Sequence, residues 1–281
     1  MHNAKRLAVF GLFFFSGSCA LVYQITWMRL FRLVMGNTVF TSATVLTAFM
    51  AGLAIGSFIA GRLTDRSAHP LRSYAWLEVL IGLCGFAMIP AFNALAPVYG
   101  GLYTWLGDSP LLLSMGRFLV SAALLALPAT LMGATLPLLS RFMTQRLERM
   151  GRDLGRLYAL NTLGAALGAA LTGFLLVPSL GVQTTLWTAA LANLSIGATA
   201  FALARTSVAS PVAAPQTSDR GDVAALWALG LTGFASMVYE VSWARTLSML
   251  LGSSVYAFSL MLVAFICGLG LGSMILAGWI D

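Results

Sequence analysis

The sequence predicts an all-α transmembrane protein of about eight helices, in which the last two helices repeat the first two. Hydrophobic residues make up 59% of the chain and charged residues only 9%, whereas soluble domains carry about 25% charged residues. Residues 17–65 also return at residues 233–281, with a constant offset of 216 positions and no gap. Because a regular period of this kind reports repeated structure, we expect a membrane protein that contains a repeated pair of helices.

Each helix is predicted from an apolar segment of roughly 20 residues, which is the length that crosses a bilayer as a helix. Glycine, proline and arginine residues separate one apolar segment from the next. The eight predicted spans are residues 7–31, 37–61, 73–97, 111–140, 156–178, 183–204, 224–250 and 254–279. The first span is longer than the apolar core of a typical signal peptide, so we expect it to stay in the protein.

A polar segment at residues 205–222 separates six predicted helices from two. Its sequence, RTSVASPVAAPQTSDRGD, is rich in Ser, Pro, Ala and charged residues, which favours a flexible cytoplasmic linker. The predicted domains are therefore a first six-helix half at 1–204, the linker at 205–222, and the first two helices of a second half at 223–281. Because six is even, the repeated pair enters the membrane in the same direction as the first pair, so the two halves are predicted to be parallel.

The basic residues predict the orientation of the chain in the membrane. The predicted connections at 98–110 and 179–182 contain no Lys or Arg, and those near 32–36 and 251–253 contain only Arg32. The connections on the other side carry the remaining loop arginines, which places both termini in the cytoplasm. The formal net charge of +7 then reflects topology and contact with the lipid bilayer. Since the basic residues are dispersed over several short loops, no nucleic-acid partner is predicted.

The sequence predicts no metal site, no cofactor and no catalytic site in this chain. The cysteines lie inside apolar spans without the spacing of metal ligands; they are Cys19, Cys84 and Cys267. His2 is near the terminus and His69 is in a loop. Gly268-Leu-Gly270-Leu-Gly272 has the spacing of a nucleotide-binding loop, but no strand precedes it, so we interpret it as a helix-packing surface.

Two other glycine pairs also predict close helix packing. Gly52 and Gly56 are four residues apart on the second predicted helix, and Gly164 and Gly168 have the same spacing on the fifth. Small residues at this spacing let helix backbones approach one another in lipid.

The cytoplasmic end of the second helix resembles the Gly-x-x-x-Asp-Arg loop signature of the major facilitator superfamily. The residues of this loop motif are Gly61, Arg62, Asp65 and Arg66. The resemblance implies that the acid and its neighbouring arginines hold a half-bundle together. It is partial, because Ser67 and Ala68 replace the usual Gly-Arg. The alternative interpretation is an ordinary basic cytoplasmic loop.

A second resemblance covers nearly the whole chain. Three elements carry it: Tyr23-x-x-x-Trp27-x-Arg29, the segment PATLMGATLP at 128–137, and NTLGA at 161–165. In this order they resemble the membrane region of bacterial spermidine-synthase-like proteins, in which a major-facilitator-type helical domain is fused to an aminopropyltransferase-type domain. The resemblance implies a six-helix half followed by the start of a second, a bacterial inner-membrane location, and a linked soluble enzyme domain as partner. This chain contains no such domain.

Polar residues inside the predicted spans indicate a cavity, because polar groups are costly in lipid and tend to face a bundle interior. The candidate residues lie on helices one, four and seven, which line the cavity in a major-facilitator arrangement; they are Tyr23, Gln24, Arg29, Arg117, Tyr239, Glu240 and Arg245. Two alternatives stay open: the aromatic residues could form an interfacial belt, and Arg29 and Arg245 could extend to the membrane surface.

The repeat copies differ at one candidate position, where the neutral Gln24 corresponds to the acidic Glu240. If Glu240 pairs with Arg117 or Arg29, the site is structurally satisfied, and if it stands alone it is a candidate for proton coupling. Three candidate arginines against one glutamate predict a net positive site that suits an anionic ligand. Glu78, on the third helix, is expected to pair with a loop arginine.

Two functional hypotheses follow. The first is a membrane module that anchors, and transports for, a polyamine-related enzyme domain; its partners would be that domain or additional C-terminal helices. The second is a major-facilitator-like transporter of a small anionic solute, which acts alone or as a homo-oligomer. An alternate structural interpretation is a helical remnant that assembles only with a partner. The sequence specifies neither the substrate nor a coupling ion.

Overall fold

The computed structural model describes residues 2–36, 38–64, 67–143, 150–205, 223–252 and 255–277. Every regular element within these ranges is a helix. The helices are α1 (His2–Met35), α2 (Val39–Thr64), α3 (Pro70–Asn93), α4 (Leu95–Leu106), α5 (Pro110–Gly133), α6 (Thr135–Met143), α7 (Met150–Leu171), α8 (Val177–Arg205), α9 (Val223–Leu250) and α10 (Val255–Ala277), with a five-residue π-helical turn (Thr172–Leu176) between α7 and α8.

Seven helical stretches of the described residues are long and apolar enough to cross a membrane, which indicates a multi-pass membrane protein. Eight spans were predicted, and the difference lies in Asp153–Arg205, a continuous stretch of 53 residues. Within it, Gly181 has a left-handed φ of 77° and interrupts the helix between the predicted spans 156–178 and 183–204. A stretch of this length is long enough for two crossings of about 20 residues each.

Within two predicted segments the structure shows features that the sequence analysis did not predict, although Pro110–Met143 is one apolar stretch that corresponds to the span predicted at 111–140. The predicted connection at 98–110 contains the helix α4, whose sequence LAPVYGGLYTWL is itself apolar. The predicted single span at 111–140 is divided between α5 and α6, with a break at Ala134. The break lies where Pro137 has no N–H to donate to the carbonyl of Gly133.

The helices at the two ends of the chain match in their boundaries as well as in sequence. The helix α10 begins at Val255, which is 216 positions after Val39, where α2 begins. The helices α1 and α9 are each followed by a glycine in the left-handed region, Gly36 with φ 83° and Gly252 with φ 79°. Glycine adopts this conformation without the steric cost that a Cβ atom imposes, so both helices end in the same way.

Close backbone contacts join α1, α2, α5 and α7. A Cβ atom at Gly56 would overlap the carbonyl oxygen of Thr130 on α5, and a Cβ atom at Gly164 would overlap the carbonyl oxygen of Phe14 on α1. The predicted packing role of the Gly52/Gly56 and Gly164/Gly168 pairs is therefore confirmed. In addition, α3 packs along α8, and α10 packs along α7. An ion pair of 2.6 Å joins Arg6 on α1 to Asp153 on α7.

Part of the predicted organisation lies outside the described residues. Of the linker predicted at 205–222, only Arg205 is described, as the last residue of α8. The loop motif is divided in the same way, because Gly61 and Arg62 belong to α2, whereas Asp65 and Arg66 lie outside the described residues. The guanidinium carbon of Arg62 lies 4.0 Å from the centroid of the Phe58 ring. The domain boundaries stay predictions.

Candidate functional site

A central cavity of about 380 Å³ lies between the helices at the two ends of the chain. Its walls include residues of α1 and α2 and residues of α9 and α10. Fourteen of the lining residues form seven pairs whose members are 216 positions apart: Gly17 and Gly233, Ala20 and Ser236, Leu21 and Met237, Gln24 and Glu240, Phe49 and Phe265, Met50 and Ile266, and Leu53 and Leu269. Corresponding faces of the repeated sequences therefore line the same space.

Glu240 gives the cavity its charge. Its side chain is 3% exposed, although most of α9 is exposed in the chain. Within the described residues its carboxyl group has no hydrogen-bond or salt-bridge partner. Among the described residues that line the cavity, Glu240 is the only Asp, Glu, Lys or Arg. An unpaired buried carboxylate favours a positively charged ligand or a proton, because transfer of an isolated charge from water is costly.

Gln24, the residue of α1 that corresponds to Glu240, lines the same cavity and is 2% exposed. Its Nε2 atom is buried and has no hydrogen-bond partner among the described residues. An amide carries both a donor and an acceptor and no charge. The two corresponding positions thus present a carboxyl group and an amide to one space.

Other polar groups complete the wall of the cavity. Asn161 of α7 donates a hydrogen bond of 3.0 Å from Nδ2 to the carbonyl oxygen of Phe13. Thr135 Oγ1 donates to the carbonyl oxygen of Met132 at 2.7 Å. The Asn161 hydrogen bond joins α7 to α1, and the Thr135 hydrogen bond closes the end of α5. These two side chains therefore contribute polarity to the cavity rather than free donors.

Glu78 lies one layer behind the cavity wall. Its carboxylate accepts a hydrogen bond of 2.6 Å from Ser16 Oγ and a second from Asn193 Nδ2, and both donors line the cavity. Glu78 is fully buried. Its predicted pairing with a loop arginine is wrong, because the polar partners come from α1 and α8 inside the bundle. Sequence reasoning did not connect Glu78 with Ser16 and Asn193, which are far apart in the chain.

Of the seven residues predicted to form one cavity, the structure brings together Gln24 and Glu240. Tyr23 is fully buried and stacks on Trp27, with ring centroids 5.3 Å apart, but it does not line the cavity. Its counterpart Tyr239 is 61% exposed. These two positions therefore have different environments despite their identical residue type.

Arg117 lies away from the cavity, on the part of α5 that faces α4. It is close enough to Tyr99 of α4 for its charge to favour the phenolate. Burial nevertheless raises the pKa of Tyr99 above its ordinary value, although the hydrogen bond with Ser121 and the charge of Arg117 act in the opposite direction.

Arg29 and Arg245 line two separate clefts near the ends of α1 and α9. Arg32 lines both clefts. None of the three candidate arginines lines the central cavity, so they do not offset the charge of Glu240 there. The separation follows from depth, because Arg29 lies five residues beyond Gln24, about 7.5 Å further along the helix.

No family model matches the sequence, and no solved structure matches the fold. The chain is similar to Polyamine aminopropyltransferase 2 of Streptomyces coelicolor, with 29% identity over 69% of this chain and 33% of that protein.

Similarity extends to related proteins in two other genera. Polyamine aminopropyltransferase 2 of Ralstonia nicotianae is 24% identical over 70% of this chain and 35% of its own length. Polyamine aminopropyltransferase of Mycobacterium tuberculosis is 27% identical over 59% of this chain and 29% of its own length. The chain thus has weak similarity to polyamine aminopropyltransferases and spans about a third of the length of these curated relatives.

Proposed function

We propose that this chain is the integral membrane module of a polyamine-related protein and that its central cavity admits a small organic cation. The polyamine relationship is supported by the similarity to three aminopropyltransferases. The membrane role is supported by seven helical stretches of suitable length and composition. The observation that carries the proposal is the cavity itself, which is lined by positions that are 216 residues apart and in which Glu240 is the one charged residue among the described lining residues.

The pairing of lining residues supports a transport role within this module. Many transporters bind their substrate between two repeats and expose the site to each side in turn by moving one repeat against the other. Seven pairs of residues with a constant separation of 216 positions line this cavity, as expected for a site between two parallel repeats in a major-facilitator-like arrangement. The difference between Gln24 and Glu240 gives one repeat the charged contact.

The charge of the cavity favours a cation over an anionic solute. An anion would require the candidate arginines, but Arg29 and Arg245 line other clefts and Arg117 lies near Tyr99 of α4. A polyamine carries ammonium groups that can each donate charge-assisted hydrogen bonds to a carboxylate and neutral hydrogen bonds to amide and hydroxyl oxygens. Glu240, Gln24 and Asn161 offer acceptors of these kinds around the cavity.

Anchoring of an enzyme domain is the second part of the proposal. The relatives are named for an enzymatic activity, and about two thirds of their length lies outside the similarity to this chain. We assign the enzymatic step to an aminopropyltransferase-type domain associated with this membrane module. The cavity would then supply that domain with amine substrate or remove its product.

Transport is tested by uptake of radiolabelled spermidine into proteoliposomes that contain the purified chain. We expect saturable uptake above that of protein-free liposomes. Glu240→Gln should lower uptake at subsaturating spermidine by about tenfold or more, because a charged hydrogen bond contributes about 1.5–3 kcal/mol. Asp108→Asn is the matched control, since Asp108 is an exposed carboxylate between α4 and α5 that does not line the cavity.

Equal uptake by the wild type, Glu240→Gln and Asp108→Asn would contradict the assigned cavity, and uptake no greater than that of empty liposomes would contradict transport. Anchoring is tested separately by affinity purification of the tagged chain from solubilised native membranes, followed by an assay for aminopropyl transfer to putrescine. Activity that purifies with the chain supports anchoring. Activity found only in the soluble fraction contradicts it.

A further inference from the structure

A second site lies between the end of α1 and the beginning of α10, outside the central cavity. It is a cleft of about 700 Å³ whose walls include Arg29 and Arg32. The rest of its wall is mainly apolar and comprises Ile25, Met28, Leu33, Val177, Pro178, Val255, Tyr256 and Phe258. Two guanidinium groups thus open into a cleft that otherwise resembles the interior of a membrane protein.

Arg32 is held in place by neighbours that leave part of its guanidinium group free. Its Nη2 atom donates to Ser42 Oγ at 3.2 Å, and its guanidinium carbon lies 5.2 Å from the centroid of the Phe258 ring. The Nε atom is buried and has no hydrogen-bond partner among the described residues. A buried donor without an acceptor is costly, so the site is incomplete without a further group.

A third arginine adds to the positive charge of this region. Arg245 lines a small adjacent cleft of about 30 Å³, which it shares with Arg32 and Ser42. The small cleft has space for about one water molecule, so a larger ligand has room only in the cleft of Arg29 and Arg32.

Within the part of the chain that the structure describes, no carboxylate balances these three arginines. Neither cleft has Asp or Glu among its lining residues, and within the described residues the three arginines form no salt bridge. The segments that connect α1 to α2 and α9 to α10 also contain no Asp or Glu in the sequence. Within the described residues, no carboxylate therefore accepts from these guanidinium groups.

We infer that Arg29 and Arg32 bind a phosphate group in this cleft. Arginine matches phosphate oxygens with two parallel N–H donors, and it is less strongly hydrated than lysine, which suits a partly buried site. Arg29 and Arg32 lie six and three residues before the end of α1 at Met35, about 9 Å and 4.5 Å along the axis. This is the depth at which a helix passes from the hydrocarbon core into the headgroup region.

The phosphate group can belong to a phospholipid or to a free phosphate ion. The apolar wall of the cleft suits the acyl chain of a phospholipid, whereas the arginines suit the phosphate group of either molecule. On the predicted topology, Arg32 lies on the side of the membrane whose connecting segments otherwise contain no Lys or Arg. Its position is therefore not accounted for by the positive-inside rule, and phosphate binding gives it a role.

The lipid source is tested by native mass spectrometry of the purified chain after equilibration with vesicles of phosphatidylglycerol and phosphatidylcholine in equal amounts. We expect retained phosphatidylglycerol on the wild type and about tenfold weaker retention for Arg29→Gln and Arg32→Gln. Arg62→Gln is the matched control, because Arg62 loses the same charge but lines neither cleft. The free-phosphate source is tested by calorimetric titration of inorganic phosphate into the same variants in phosphatidylcholine nanodiscs.

Arginine-dependent retention of phosphatidylglycerol, or arginine-dependent binding of inorganic phosphate, supports the site and identifies its source. The proposal is overturned if Arg29→Gln and Arg32→Gln match Arg62→Gln in both measurements. A test without substitutions covers the case of a variant that does not fold. Phosphatidylglycerol or phosphate should protect Arg29 and Arg32 of the wild type, but not Arg62, from phenylglyoxal, as read by peptide mass spectrometry; equal labelling of all three would overturn the proposal.

Discussion

The helix pairs at the two ends of the chain have matching residues but unequal surroundings. Tyr23 and Trp27 of α1 are 0% and 1% exposed, whereas the corresponding Tyr239 and Trp243 of α9 are 61% and 56% exposed. Trp27 packs on Tyr23 and on the edge of Phe49. Identical residue types at corresponding positions thus belong to a core in one case and to an open surface in the other.

The glycine residues show the origin of this difference. Gly52 and Gly56 of α2 are in close contact with Ala129 and Thr130 of α5, whereas a Cβ atom at Gly268 or Gly272 of α10 would meet nothing within 4 Å. The helix α10 packs along α7, but within the described part of the chain no helix contacts α10 at Gly268 and Gly272. The repeated sequence therefore carries a surface suited to close helix contact, and the neighbouring helices determine whether that surface is buried.

The largest predicted contrast concerns the two tryptophans. Trp27→Ala should lower the free energy of unfolding by about 3–4 kcal/mol, because it removes a large buried ring together with its contacts. Trp243→Ala should change it by less than about 0.5 kcal/mol, since the ring is mostly exposed. Dodecyl sulfate titration followed by circular dichroism measures both values in the same detergent micelle. Equal losses for the two variants would mean that α9 is packed as tightly as α1.

The sequence was sufficient to predict the helical class, the positions of most spans and the packing role of the glycine pairs. It was not sufficient to predict α4, because an apolar segment of 12 residues is distinguished as a separate helix by its tertiary contacts. It was not sufficient to predict the break at Ala134 either, because this break within an apolar segment of 30 residues depends on the local effect of Pro137. The exposure of Tyr239 was not predicted either, because a repeated sequence pattern indicates which face of a helix a residue occupies but not which helices pack on that face.

Alanine substitution of Gly56 and of its counterpart Gly272 is expected to change the stability of the protein in opposite directions. Gly56→Ala should destabilise the protein by about 2 kcal/mol, because the added methyl group meets the backbone of Thr130 and the two helices must separate. Gly272→Ala should stabilise it by as much as about 1 kcal/mol, since alanine is the better helix former and the site is open. The same titration reads both changes. Destabilisation by both substitutions would show that Gly272 is in close contact with another helix.

The sequence predicted some residues of the central cavity correctly and others not. The comparison of the repeat copies identified Gln24 and Glu240, which do face one cavity. Arg29 and Arg245 each lie five residues beyond Gln24 and Glu240 on the same helices, so linear spacing did not distinguish them from the cavity residues. The support of Glu78 by Ser16 and Asn193 joins three helices, and no periodicity within one helix reports such a contact.

The smallest contrast concerns Ser16 and Thr232, which immediately precede the two repeated segments and are also 216 positions apart. Ser16→Ala should cost about 1–2 kcal/mol of unfolding free energy, because it removes a donor from the fully buried carboxylate of Glu78. The corresponding Thr232 donates to the carbonyl oxygen of Ala228 in its own helix and is exposed, so Thr232→Ala should change stability by less than about 0.5 kcal/mol. Combining Ser16→Ala with Glu78→Leu should cost less than the sum of the single substitutions, because the second removes the acceptor that the first leaves unpaired. Strict additivity in this cycle would show that Ser16 and Glu78 do not interact, and α1 would then lose the polar contact that distinguishes Ser16 from Thr232 of α9.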